Sequence, residues 1–327
     1  MAVRSMFGVL LGAAFAGLVP VVAPASSLAA SANSLAAPRI VSLMPSLTED
    51  LFALGAGPQV VAVSQFTDFP AAARSLPTVA SFASLDAERI VRLHPDLVVG
   101  IPAQAALVAD LRRVGLRVEL LPDDSFADIF ADLARLGALS GHPREAARLS
   151  AALRARTAAL VRSVSGVPPG TDVPGVPARA DMAGTGASGI GAGADVRGRA
   201  GRTTRPSVLV VLGVTPIFTV GDRSYIAHLI ELAGGRNAAG VDEAYVRYSA
   251  EAIVAAQPDF IVTDRSAGLT AALGAPPWNA LRAVREKHVY VLGDADILER
   301  PGPRYNEGLA WLIARLHPAP EHSHVAR

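Results

Sequence analysis

Leu85–Val99 reads LDAERIVRLHPDLVV, and Tyr248–Val262 reads YSAEAIVAAQPDFIV. At an offset of 163 positions (251 − 88), Glu88 falls on Glu251, Pro95 on Pro258 and Asp96 on Asp259. Each stretch opens on a residue suited to cap a helix, Asp86 or Ser249, with a glutamate two positions on in the first turn. An apolar pair follows (Ile90 and Val91; Ile253 and Val254) and is expected to face inward. Pro-Asp then ends the helix and a β-run begins. One helix-to-strand unit used twice predicts a chain of two similar lobes.

The stretches around each unit extend that reading. Arg39–Leu43 is a short apolar strand, and Ser46-Leu47-Thr48-Glu49 after Pro45 has the form of a capping box for a helix running to Leu54 and closed by Gly55. Val60–Val63 is a strand, Ser64–Pro77 a loop, Ala105–Val114 a helix ended by Gly115, and Arg117–Leu121 a strand. Ser125 caps a helix to Leu139. Pro143 opens the longest helical pattern, with Leu149, Leu153, Leu160 and Val164 as its apolar stripe. About 22 residues at ~1.5 Å each give roughly 33 Å, enough to run from one lobe to the next. After Pro206 the alternation resumes: a strand at Ser207–Leu212, a helix at Tyr225–Ala233, the second unit, a helix near Trp278–Val284, a strand at His288–Leu292 and a helix at Pro303–Leu316. The expected fold is α/β, with two doubly wound lobes (38–141 and 206–318) on central parallel sheets, bridged by a single long α-helix (142–164).

Three segments read differently. Residues 1–32 have the form of a signal peptide: Arg4, an apolar run from Met6 to about Val22, then Ala30-Ser31-Ala32 as cleavage site, with Ser27-Leu28-Ala29 competing. The rival reading is a retained membrane anchor, for which the run is short and interrupted by Pro20. Residues 165–205 shift to Gly, Pro, Ala, Ser and Thr and are expected to be a flexible insert. Gly184–Gly189 is formally GxGxxG, but no strand precedes it and no helix follows, so it predicts no nucleotide site. Residues 319–327, with His322 and His324, are expected to be a disordered tail.

Formal charge is 30 minus 29, without a basic block, which argues against nucleic acid as a partner. The absence of cysteine excludes disulfides, thiolate metal sites and cysteine nucleophiles, and with them a lipid-attachment cysteine. Together with the leader, this predicts a periplasmic location.

Ser42–Pro70 (SLMPSLTEDLFALGAGPQVVAVSQFTDFP), LDAERIVRLHPDLVV, the segment ending VTPIFTVG, and ERPGPRYNEGLAWLIARLHP together resemble the periplasmic substrate-binding proteins of ABC importers for cobalamin, haem and ferric siderophores. The resemblance covers residues 38–318 apart from the insert and is nearest the cobalamin-binding branch. It implies the class III fold, two α/β lobes on one rigid helix, and a metal chelate carried between them as cargo, with no cofactor. It also implies an ABC permease/ATPase complex of the inner membrane as partner, and a monomer. By position in these motifs, Phe66, Phe82, Phe218 and Tyr245 correspond to ring-bearing ligand contacts, and Asp296 and Arg300 to polar ones. Ser46 and the free N–H groups of its helix could add donors. Glu88 and Glu251, one per lobe, correspond to the carboxylates that dock on permease arginines.

Each assignment has a plainer rival. Phe66 and Phe82 could be core or loop anchors, and a first-turn glutamate stabilises a helix by about 0.3–1 kcal/mol through the dipole alone. Trp278, Trp311 and Arg304 read as packing or helix-start residues. Haem would want an axial Tyr or His (Tyr225, Tyr245 or Tyr248), and an anionic siderophore would want arginines such as Arg223, Arg247 and Arg265. An enzyme is not expected, because no paired acid and base, activated nucleophile or metal cluster falls at sensible spacing.

Overall fold

Strand β1 (Ile40–Ser42) is three fully buried residues, hydrogen-bonded in parallel to β2 (Val60–Ser64) on one side and β4 (Leu97–Gly100) on the other. Around it the first half of the chain is wound as α1 (Pro45–Ala53), β3 (Thr78–Ala80), α2 (Ala87–Arg92), α3 (Ala109–Arg113), β5 (Val118–Leu120) and α4 (Phe126–Ser140). The sheet order is β3-β2-β1-β4-β5, parallel throughout. Helix α5 (Pro143–Ser165) follows. This computed structural model describes residues 37–165 and 205–318. The leader, the 166–204 part of the insert with its GxGxxG, and the tail from 319 lie outside the described residues.

The second half holds β6 (Ser207–Val214), β7 (Ile217–Val220), α6 (Tyr225–Leu232), β8 (Arg236–Asn237), β9 (Tyr245–Arg247), α7 (Ala250–Ala256) and β10 (Phe260–Thr263). It closes with α8 (Leu269–Ala272), α9 (Arg282–Arg285), β11 (Val289–Val291), α10 (Asp296–Glu299) and α11 (Tyr305–Leu316). Its order is β11-β10-β6-β7-β9, and here the expected parallel sheet is mixed. One edge of β6 pairs in parallel with β8 at its start and antiparallel with β7 at its end, and β7 in turn pairs antiparallel with β9.

The repeated unit is present in both halves, and its dipeptide does more than end a helix. Asp86 and Ser249 cap α2 and α7 by accepting from the amides of Arg89 and Ala252. Each helix is left through a residue with positive φ, His94 (47°) or Gln257 (40°), at equivalent positions. The aspartate after each proline then grips the first sheet strand at its start. Asp96 Oδ2 accepts from the Arg39 amide at 2.8 Å, and Asp259 Oδ2 accepts from the Ser207 amide at 2.8 Å. The return bonds run from the aspartate amides to the Arg39 and Ser207 carbonyls at 2.9 and 3.0 Å.

Four expectations change in detail. Ile90 and Ile253 are buried, but Val91 and Val254 are 40% and 38% exposed, because helices of six and seven residues turn only one side to the sheet. Helix α1 starts at Pro45, with Met44 as its N-cap and no side-chain cap, so Ser46 and Glu49 form no capping box. Proline with its fixed φ suits the first helical position, which displaces the start upstream of Ser46. Helix α3 is shorter than its pattern and begins at Ala109. The buried line of α5 runs Ala146-Ser150-Leu153-Thr157-Val161, shifted from the stripe expected.

Polarity on that line has a use. The Thr157 hydroxyl lies 2.7 Å from the Tyr305 hydroxyl and 2.9 Å from Asn306 Oδ1, while Asn306 Nδ2 donates to the Leu153 carbonyl at 3.1 Å. Buried groups so paired avoid the desolvation cost of orphaned ones and fix the register of α5 on α11. The largest apolar cluster is continuous across both halves, from Leu97 and Phe130 through Leu153 to Val210 and Leu309. Phe126 at the start of α4 meets Tyr305 edge-on at 5.0 Å and lies 4.7 Å from the His228 ring.

Candidate functional site

In a sheet wound this way, loops at the carboxyl ends of the strands form the place where ligands bind. In the first half these loops carry exposed rings. Phe66, two residues after β2, has φ 65° and is 73% exposed. A bulky side chain in the left-handed region is strained, and such residues cluster at ligand sites. The loop is held on both sides: the Gln65 amide donates to the Ala80 carbonyl at 2.7 Å, and Arg74 Nε donates to the Asp68 carbonyl at 2.6 Å. Phe82 follows β3 at the tip of a turn whose Ser81 and Ser84 hydroxyls are 2.8 Å apart, and it is 67% exposed.

In the second half the rings stand on strands. Phe218 on β7 and Tyr245 on β9 are parallel within 8°, with centroids 6.3 Å apart. Their position depends on a close approach, since a Cβ on Gly221 would lie 2.2 Å from the Glu243 carbonyl. Tyr245 is 43% exposed, yet its phenol is pushed up to about 12 by burial and then by the negative charges of Asp123, Asp124 and Glu299. Solvent reaches this ring although its hydroxyl feels the charges of groups from both halves.

An arginine bridges the two halves. Arg300 Nη1 donates to Glu49 Oε1 at 3.0 Å and to Asp68 Oδ1 at 3.1 Å, and Nη2 donates to the Phe66 carbonyl at 2.9 Å. It also pairs with Asp296 at 2.9 Å, and Arg304 pairs with Glu49 at 3.8 Å and with Asp294 while covering the Phe69 ring at 4.2 Å. Burial alone would lower the Arg300 guanidinium, but Asp296, Glu49 and Asp68 together raise it. Burial raises Glu49 and Asp296 against the pull of these arginines. Such a network binds the α10–α11 segment to the Phe66 loop, and its buried members depend on one another.

The expected site residues thus divide. Phe66, Phe82, Phe218 and Tyr245 are all at least partly exposed, on strand-end loops or on the paired antiparallel strands β7 and β9. Asp296 and Arg300 lie among them but face other side chains. Ser46 is buried at 4%, so its hydroxyl is set apart from the exposed rings. Carboxyls that sequence reading did not single out act here: Glu49 and Asp68 pair with Arg300, and the charges of Asp123, Asp124 and Glu299 act on the Tyr245 phenol. Burial pushes Asp123 up to about 6, with Asp124 and Asp128 adding, and Glu299 up to about 7, with Asp264 and Asp296 adding. The one available signal was position, since Asp123-Asp124 lies in the loop that follows the strand ending at Leu120.

Glu88 and Glu251 lie elsewhere, in the first turns of α2 and α7. Glu88 pairs with Arg92 at 3.4 Å with both side chains largely exposed. Hydrogen bonds from its own backbone and from the Ser249 hydroxyl hold Glu251 below the usual carboxylate range. Beside Glu88 a groove of about 360 Å³ has Val91, Leu111 and Val114 in its lining.

The sequence matches the periplasmic binding protein family over residues 40–175 and 191–295. It is 26% identical to an ABC transporter substrate-binding lipoprotein, YvrC, of Bacillus subtilis, covering 86% of this chain and 80% of that one. It is 26% identical to the vitamin B12-binding protein of Vibrio parahaemolyticus, covering 81% and 84%. The fold superposes on the periplasmic heme-binding protein RhuT of Roseiflexus sp. RS-1 with a TM-score of 0.69 and 26% identity, covering 86% of this chain and 98% of that one.

Proposed function

The chain belongs to the periplasmic binding protein family, and from that premise we propose that it captures a cobalamin-type corrinoid between its two halves and delivers it to an ABC importer. What supports this reading is the exposure of Phe66 and Phe82 on strand-end loops of the first half and of Tyr245, stacked on the half-buried Phe218, in the second. Large aromatics are normally buried, and several left in water at strand ends suit a broad flat ligand with an apolar rim. Asp296 and Arg300 act behind the rings by holding the Phe66 loop, and Ser46 lies deeper still. No chemical step is assigned to the site.

Haem is the competing cargo, since RhuT is a heme-binding relative. A ferric haem would want a phenolate or imidazole ligand, and Tyr245 is the exposed tyrosine that could offer one. The corrinoid reading stands first because the sequence relatives include vitamin B12-binding proteins. Glu88 and Glu251 supply the docking carboxylates, one from each copy of the repeated unit. In this reading the leader exports the chain, which acts outside the cytoplasmic membrane as a monomer.

Titration of the purified protein with cyanocobalamin, hemin and a ferric hydroxamate tests this. Tight cyanocobalamin binding, followed by quenching of intrinsic fluorescence, is expected. A Soret shift with hemin together with silence toward cyanocobalamin would replace the corrinoid by haem.

A further inference from the structure

One rung of the second sheet sets three unlike residues level with one another. Gly213, next to the end of β6, pairs with Phe218 of β7, and Phe218 pairs with Arg247 of β9. Residues opposed across a ladder share a face, as do alternate residues of one strand. Phe218, Tyr245 and Arg247 therefore stand on the same face, where the two rings are parallel within 8°. Gly213 brings no side chain to this rung. Because β7 is antiparallel to both neighbours, β9 runs the same way as β6, and Arg247 stands nearer the carboxyl edge than Tyr245 does. That is the edge at which a sheet of this kind meets its ligand.

The guanidinium on that face is uncommitted. Arg247 is exposed, and among the described residues its side chain has no hydrogen bond, ion pair or ring contact. Other arginines nearby are already matched: Arg300 by Glu49, Asp68 and Asp296, Arg304 by Glu49 and Asp294, and Arg223 by Asp242 at 3.5 Å. A free planar cation beside two stacked rings suits a ligand that brings an anion together with a flat face, since its fork of N–H groups fits the paired oxygens of a phosphate or carboxylate.

Resting on the reading of this face as part of the corrinoid site, we propose that Arg247 anchors an anionic group of the ligand, which in a complete corrinoid is the phosphodiester of the nucleotide loop. The site then favours a corrinoid that carries the loop over one that lacks it. A phosphodiester has one negative charge and two free oxygens, which a guanidinium meets with two parallel N–H bonds.

The test compares cyanocobalamin with dicyanocobinamide, which lacks the loop and its phosphodiester. Arg247→Gln is expected to weaken cyanocobalamin about tenfold and to leave dicyanocobinamide within about twofold. Retained dicyanocobinamide binding reports that the variant is folded. Weakening of both ligands alike, or of neither, would overturn the anchor while leaving the corrinoid reading intact. A charge that only keeps an edge strand from pairing with other chains gives the second of these results, because its removal alters self-association and not the ratio of the two affinities. Arg265, in the loop after β10, is the control: its side chain is also exposed and unpartnered, but β10 lies three strands from β9, roughly 14 Å at ~4.8 Å per strand. Arg265→Gln should leave both affinities unchanged, and selective loss of cyanocobalamin there instead of at Arg247 would sink the proposal. If the unaltered protein binds hemin and neither corrinoid, the corrinoid reading falls and the anchor is judged on the propionates of haem. Hemin binding about tenfold weaker in Arg247→Gln would then uphold it, and equal binding would end it.

Discussion

The two sheets start from the same helix-to-strand unit but meet the crevice by different means. In the first, every strand is parallel, so its contributions, Phe66, Phe82 and Asp123-Asp124, all sit on loops after strand ends. In the second, antiparallel β7 and β9 place Phe218 and Tyr245 within a hydrogen-bonded ladder. A ring on a strand is positioned by its neighbours' backbone, whereas a ring on a loop needs separate tethers. The first half has such tethers in the Arg300 bond to the Phe66 carbonyl and the Ser81–Ser84 clasp. The difference shows how a doubled fold can become asymmetric at its ligand face while its scaffold stays alike.

If the two copies of the unit act as paired handles, removing both should have the largest effect. Glu88→Ala/Glu251→Ala is expected to lower uptake of labelled cyanocobalamin by about two orders of magnitude, about 2.7 kcal/mol, with ligand affinity unchanged. A fall in affinity instead would tie these glutamates to the crevice. Next comes the strand grip. Asp259 accepts from the Ser207 amide and hydroxyl and pairs with Arg282, whereas Asp96 is more exposed and binds one amide. Asp259→Ala should cost about 2 kcal/mol in denaturant unfolding and Asp96→Ala about 1 kcal/mol. Equal costs would mean the added partners contribute nothing.

Smaller still is the contrast between strand rings and loop rings. Tyr245→Ala should weaken cyanocobalamin binding about tenfold and Phe82→Ala about threefold, because the loop ring loses more conformational freedom on binding and returns less net affinity. The reverse order would remove the distinction drawn between the halves. The last comparison is one of sign. Burial alone would raise Asp259, but bonds from Ser207 and the charge of Arg282 hold it below its ordinary value. Its stabilisation is present above the unfolded carboxylate pKa and is lost as pH falls through the lower folded value. Asp132, by contrast, is raised to about 8, first by burial and then by Asp128 and Asp123. Its folded pKa lies above the unfolded one, so it lowers stability progressively as pH rises from about 4 to about 8. Asp132→Asn should flatten thermal stability across that window, and a slope equal to that of the unaltered protein would exclude Asp132 as its source.

Much of the scaffold was legible in local residue chemistry. The caps at Asp86, Ser125 and Ser249, the helix opened by Pro143 and the repeated helix-to-strand unit all rest on interactions within a few residues, which a linear pattern records. What the pattern missed depends on partners far along the chain. Val91 could not be told from Ile90 by period in so short a helix, and the aspartates after Pro95 and Pro258 find their partners 57 and 52 residues away. At the site, the exposed rings came from resemblance, but the commitment of Arg300 to Glu49, 251 positions distant, has no local trace. The antiparallel course of β7 follows a reversal between Val214 and Ile217, beyond the strand expected at Ser207–Leu212.

The continuous core sets how cargo can come and go. Phe126 is wedged against Tyr305 and His228 across the seam, so a wide gape would strip water-free packing from such rings, at roughly 5 kcal/mol for an aromatic of ~200 Å². If Phe66 and Phe82 hold the ligand as proposed, entry and exit would proceed by small yielding of their loops on a stiff frame. A tightly held passenger would leave such a vessel only when something outside does work on it, which is the task of a nucleotide-driven machine rather than of thermal breathing.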